Sequence, residues 1–179
     1  MPTDEITGLA RDVAGRCRLH GRFTLRSGLV SDEYFDKYLF ESDPVLARRV
    51  TDQMAALVPA DADLLGGLEL GGVPLAALVS QATGLPALFV RKQAKPYGTC
   101  RLAEGGDPAG RHVVLVEDVI TTGGAVLNAA RALRELGATV TTVVCAIDRS
   151  APGEDALAAA SIETRAVLTK EMLDSAGPT

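Results

Sequence analysis

Four consecutive aliphatic residues, Val113-Val114-Leu115-Val116, constrain the fold more than any other stretch of the chain. Such a run reads as a strand buried on both faces, the kind found in parallel sheets. Glu117 and Asp118 follow at its carboxyl end. Val119 and Ile120 then lead into a polar, glycine-rich turn, Thr121-Thr122-Gly123-Gly124-Ala125. Beyond the turn, Val126, Leu127, Ala130, Leu133 and Leu136 recur at helical spacing, and Gly137 supplies a C-terminal stop. The acids and the turn therefore lie where a buried strand hands over to a helix, which in open α/β sheets is where ligands bind.

The residue types in the turn define a chemistry. Gly123 and Gly124 let the backbone approach a ligand, and the free N–H groups opening the helix point the same way. With the hydroxyls of Thr121 and Thr122 they form a cradle for a phosphate dianion. Glu117 and Asp118 would repel that phosphate, but they suit neutral hydroxyls, as on a ribose, or a bound cation. A phosphate beside a diol outlines a ribose 5-phosphate. The competing reading is an ordinary strand-to-helix turn with its acids in solvent.

A chain of 179 residues, 47% of them hydrophobic, can bury a real core as one domain. Aromatics make up only 4%, so Val, Leu and Ala must fill the interior. A net charge of −5 argues against nucleic acid as a partner. No membrane-spanning run or secretory signal is evident, and a cytoplasmic location is expected. Cys17, Cys100 and Cys145 lack CxxC spacing and read as free thiols, while His20 and His112 form no zinc pattern. The signatures GxxxxGK[ST], GxGxxG and GxSxG are absent, which argues against a P-loop NTPase, a dinucleotide-binding domain and an α/β-hydrolase.

Along the chain, Ile6, Leu9, Ala10, Val13 and Cys17 predict an amphipathic helix over residues 3–18. Phe23-Thr24-Leu25 and Glu33-Tyr34-Phe35-Asp36 predict two short strands around a turn at Ser27-Gly28. Asp43-Pro44 opens a helix with the stripe Leu46, Val50, Met54, Leu57 and Val58, ended by Pro59. Residues 63–74 form a strand, a loop rich in glycine and a helix start. The glycines there imply unusual φ angles, close approach of backbone to ligand, or a purely structural turn. Pro86 to Val90 is a further strand. From Arg91 to Gly110 no periodicity survives, as in a lid or a solvated basic loop, and Arg91, Lys92, Lys95 and Arg101 are cations within it. Val140 to Ile147 is another strand, leading to Asp148-Arg149. A short helix over 153–160, a strand over 165–168 and a turn capped by Thr169 close the chain.

The stretch Val113 to Ala125 resembles the phosphoribosyl-pyrophosphate motif of the type I phosphoribosyltransferases, in which two acids precede a Thr/Gly-rich turn. The segment Phe23-Thr24-Leu25-Arg26-Ser27-Gly28 with Tyr34-Phe35, and the segment Arg91-Lys92-Gln93-Ala94-Lys95-Pro96-Tyr97-Gly98, resemble the hood and catalytic loop of one subfamily, the orotate phosphoribosyltransferases. The resemblance implies an α/β fold: a mainly parallel central sheet flanked by helices, with a small N-terminal hood. The hood would span about residues 1–40 plus the C-terminal segment, the core about 41–150 and the flexible loop about 91–110. It implies transfer of ribose 5-phosphate from 5-phosphoribosyl 1-pyrophosphate to orotate, in pyrimidine biosynthesis.

By resemblance, Arg26 and the loop cations Arg91, Lys92 and Lys95 face the pyrophosphate, with Lys95, Arg91 and Asp118 in the catalytic roles. Tyr34 and Phe35 lie against the orotate ring, and Arg149 meets the orotate carboxylate. Glu117, Asp118, Val119, Ile120, Thr121, Thr122, Gly123, Gly124 and Ala125 hold the ribose 5-phosphate. Mg²⁺ enters on the donor's pyrophosphate, with a water-mediated contact to Asp118 and no direct protein ligand, and a homodimer shares the loop across subunits. The chain departs from many members at Tyr97, where His is common, at Arg26, where Lys is common, and at Gly71, where Lys is common. The rival readings are a phosphoribosyltransferase for another base, such as a purine, and a regulator that kept the fold without catalysis.

Overall fold

A computed structural model describes residues 3–24, 28–92, 102–151, 153 and 156–176. Its centre is a six-stranded sheet built from β3 (Leu64–Leu68), β4 (Ala87–Val90), β5 (Ala103–Glu104), β6 (His112–Ile120), β7 (Thr139–Asp148) and β8 (Glu163–Thr169). The strand order is β5-β4-β3-β6-β7-β8, parallel throughout except for the edge pair of β4 and β5. Ahead of it, β1 (Arg18–Thr24) and β2 (Val30–Phe35) make a separate antiparallel ribbon.

The aliphatic run works as its pattern predicts. Val114 and Val116 join one core cluster, with the buried stripes of α1 (Thr3–Cys17), α3 (Pro44–Leu57) and α4 (Gly72–Thr83). Val113 and Leu115 join the other, with Val126, Ala129 and Leu133 of α5 (Gly124–Glu135). Period-two alternation in a strand covered on both faces gives this result, because successive side chains point to opposite layers. Capping also follows the sequence. Asp43 Oδ1 accepts hydrogen bonds from the N–H groups of Val45 and Leu46, at 3.0 and 3.1 Å, with Pro44 opening α3. Thr169 caps α7 (Lys170–Ser175) by accepting from the Met172 N–H at 3.3 Å.

Four expectations change. The central strand continues through Ile120, so Glu117 and Asp118 lie inside it rather than beyond its end; Glu117 and Ile120 pair with Cys145 and Asp148 of β7. Sheet pairing overrides the local preference of two acids for a loop. Within the stretch 91–110 expected to be irregular, Ala103 and Glu104 form the short edge strand β5 against β4. A strand of two residues carries no periodicity to read. None of Gly66, Gly67, Gly71 and Gly72 has a positive φ. Finally, α2 (Tyr38–Glu41) is a single helical turn that the sequence pattern leaves unmarked. Of the short helix over 153–160, α6 covers Ala156–Ala159.

The topology places the site. After β3 the chain crosses to β4 on one side, and after β6 it crosses to β7 on the other. The crevice between β3 and β6 is therefore the sheet's switch point, where a ligand fits between diverging crossovers.

Candidate active site

Two features meet at this switch point. The first is the N-terminus of α5. Gly123, in the left-handed region at φ 72°, ends the turn, and no side chain caps the helix. The first backbone N–H groups of α5 therefore lack the side-chain acceptor that usually satisfies them, and they suit an anion. Thr121, Thr122, Gly124 and Ala125 are exposed around them. Arg149 lies alongside, where its N–H donates to the Ile120 carbonyl at 2.8 Å.

The second feature is the acid pair. Glu117 is 8% exposed and Asp118 only 1%. Asp118 Oδ2 is paired with the Lys37 ammonium, which comes from the residue preceding α2. Its Oδ1 accepts from the Val119 N–H at 2.5 Å. Glu117 Oε1 accepts from the Asp118 N–H at 3.1 Å. From above, the backbone of Gly71 presses on the carboxylate so closely that a Cβ at Gly71 would overlap Asp118 Oδ2. A side chain at position 71 therefore has no room here.

Burial decides the charge state. Desolvation, followed by the field of Asp118, pushes Glu117 up to about 8. The same two causes push Glu41 up to about 8, and its Oε1 is buried without a hydrogen-bond partner. For Lys37 burial opposes the charge, but the bond to Asp118 and its Coulombic attraction outweigh it, and the pKa is raised. Burial thus favours the protonated form of Glu117 and Glu41, beside the Asp118–Lys37 ion pair.

Stability should record this. A carboxyl held above its ordinary value binds a proton in the native state that the unfolded chain has already lost. Stability is therefore full below the ordinary value near 4.5 and falls as pH rises towards about 8. The thermal midpoint of the ligand-free protein is expected to drop between about pH 5 and pH 8, by about 2–4 °C for each kcal/mol lost. Glu117→Gln should flatten the slope. A midpoint that climbs across that range would contradict the protonated cluster.

The remaining candidates fall into two groups. Phe35 and Arg149 come together, with the guanidinium 5.3 Å from the ring centroid. Tyr34 instead packs against Phe23, ring centroids 5.5 Å apart. Arg91 and Lys92 border a hollow of about 320 Å³ that Glu69, Ala125 and Asn128 also line. The Lys92 N–H donates to Glu69 Oε2 at 3.0 Å, which anchors the start of the basic segment beside α5. Arg26, Lys95 and Tyr97 lie outside the described residues. Lys37 escapes a sequence reading: it is 81 positions from Asp118, and no local pattern marks it.

Residues 46–164 match the family model of the phosphoribosyl transferase domain. An orotate phosphoribosyltransferase of Nocardioides sp. is 64% identical over 168 residues, 94% of each chain. That of Methanocella arvoryzae is 42% identical over 153 residues, covering 86% of this chain and 87% of its own. The crystal structure of Mycobacterium tuberculosis orotate phosphoribosyltransferase with Fe(III) dicitrate superposes with a TM-score of 0.83 at 34% identity, over 94% of this chain and 98% of that one. The same enzyme in complex with 5-phospho-α-D-ribosyl 1-diphosphate gives 0.80 at 29% identity, over 95% and 99%. An acid pair and an uncapped helix N-terminus at a sheet switch point, in a chain this similar to those enzymes, place it in the orotate phosphoribosyltransferase family, with the type I phosphoribosyltransferase fold.

Proposed function

We propose that the chain transfers ribose 5-phosphate from 5-phosphoribosyl 1-pyrophosphate to orotate, giving orotidine 5′-monophosphate and pyrophosphate, with the residue roles that follow. The observation that carries the reading is the uncapped N-terminus of α5 beside the buried acid pair. The amides of residues 121–125 take the 5′-phosphate, and Asp118, with Glu117 behind it, takes the ribose hydroxyls. Phe35 lies against the orotate ring and Arg149 against its carboxylate, a bidentate match for a guanidinium.

Departure of pyrophosphate leaves positive charge on the sugar and places negative charge on the leaving group. Asp118 lies on the sugar side. Arg91, Lys92 and Lys95 serve the leaving group, and the basic segment excludes water that would otherwise hydrolyse the activated sugar. Orotate N1 is the nucleophile, so no Ser, Cys or His nucleophile is needed. Mg²⁺ would enter on the donor's pyrophosphate, with a water-mediated contact to Asp118 and no direct protein ligand, as suits an ion that keeps several of its waters. When bound, that ion supplies charge neutralisation on the pyrophosphate.

A homodimer with the loop shared between subunits, a cytoplasmic location and the absence of nucleic-acid or membrane partners belong to the same proposal. Among the described residues, no helix is long and apolar enough to cross a membrane. Lys95→Ala is expected to lower turnover by about 10²-fold, the scale of one preorganised charge contact. Unchanged turnover would remove Lys95 from the mechanism. Pyrophosphate release measured with orotate, adenine, hypoxanthine and uracil tests the acceptor; release with a purine and not with orotate overturns the assignment.

A further inference from the structure

Asp118 must be reachable if it is to hold the ribose, yet its side chain is only 2% exposed. The groups against it include the Val119 N–H on Oδ1, the Gly71 backbone over Oδ2 and the Lys37 ammonium on Oδ2, with the carboxyls of Glu117 and Glu41 beside them. The first belongs to the same strand. The second belongs to a short loop tied at both ends, between β3 and α4. Of the side chains among these groups, Lys37 is the cation. It is 32% exposed, on a flexible four-carbon stem. Its ammonium also lies 5.3 Å from the centroid of the exposed Tyr38 ring, on the solvent side of the pair. A ribose hydroxyl can therefore reach Asp118 by displacing Lys37.

The displaced ammonium needs a new partner, because a cation released into a partly buried site is costly when unpaired. The incoming molecule supplies one, since the ribose that takes Asp118 carries anionic phosphate groups. We propose that Lys37 is a donor-binding residue that changes partners: it holds Asp118 in the free protein and moves to the donor's pyrophosphate as the ribose hydroxyls replace it. No bond is made or broken, and the carboxylate exchanges one ammonium contact for hydroxyl contacts. This rests on the proposed role of Asp118 as the ribose ligand. It also gives α2 a function, because this single turn delivers a cation where the loop at Gly71 has no room for a side chain.

Lys37→Met, Lys37→Arg and Asp118→Asn, assayed with 5-phosphoribosyl 1-pyrophosphate and Mg²⁺, test the exchange. Lys37→Met is expected to weaken donor binding by about tenfold, the effect of one charge-assisted contact. The orotate KM should stay within about twofold, and Lys37→Arg should restore most of the loss. Donor affinity unchanged or tightened in Lys37→Met, with Asp118→Asn weakened, would overturn the exchange and leave Lys37 as a mere cover. Donor affinity unchanged in Asp118→Asn would instead remove Asp118 from the ribose, a failure of the underlying reading. Should Lys37→Met not fold, the wild-type protein with ¹³C-methylated lysines decides. The Lys37 resonance, assigned by its loss in Lys37→Arg, should shift on adding donor and Mg²⁺ and not on adding orotate alone. A resonance indifferent to donor overturns the proposal.

Discussion

Asp118→Asn is expected to lower kcat/KM for 5-phosphoribosyl 1-pyrophosphate by about 10²-fold, while the orotate KM changes little. The substitution keeps the size of the side chain and an oxygen for the Val119 N–H, so β6 should remain intact. It removes the charge that pairs with Lys37 and the acceptor capacity assigned to the ribose hydroxyls. A buried amide cannot answer positive charge developing on the sugar, so the loss should appear in kcat as well as in donor binding. A second signature follows from electrostatics. Asp118 is the second cause, after burial, of the raised pKa values of Glu117 and Glu41, so both should move down towards the ordinary carboxylate range in the variant. Steady-state kinetics with the donor varied at saturating orotate check the first effect. Wild-type kinetics would sink the assignment of Asp118.

Gly72→Ala should produce the largest loss of stability. Gly72 opens α4 directly over the central strand, and a Cβ there would overlap the Val116 carbonyl oxygen and lie 3.2 Å from its carbon. Val116 is fully buried, and β6 is paired on one side with β3 and on the other with β7, so the strand cannot retreat. The helix start must lift instead, taking with it the Gly71 backbone that covers Asp118. Overpacking of this kind costs about 3 kcal/mol. For a chain of this size that is a fall of about 6–12 °C in thermal midpoint. Gly8→Ala provides the contrast. Gly8 lies within α1, where an added methyl would meet nothing inside 4 Å, and the change should stabilise by about 0.5–1 kcal/mol. Equal midpoints for the two variants would show that the contact at Val116 is not tight.

Most of the scaffold was legible from spacing. The stripe of α1, the Asp43-Pro44 opening of α3 and the doubly buried run at Val113 depend on neighbours within a few positions, and local pattern reports such neighbours. The phosphate cradle was legible for the same reason, since strand, turn and helix start are contiguous. The four residues of α2 and the two of β5 are too short to show a period, and only their docking stabilises them. The family motif named Asp118 but not the side chain that covers it, because Lys37 is brought to it by a fold-back of the chain.

The sequence by itself determined the kinds of element, their order and the chemistry of the turn at 121–125, since each rests on adjacent residues. The tertiary structure decided which crevice these elements share, which carboxyls at the site burial pushes towards the protonated form and which cation answers Asp118. Those outcomes depend on strand order and on exclusion of water, and both are set by contacts between residues far apart along the chain.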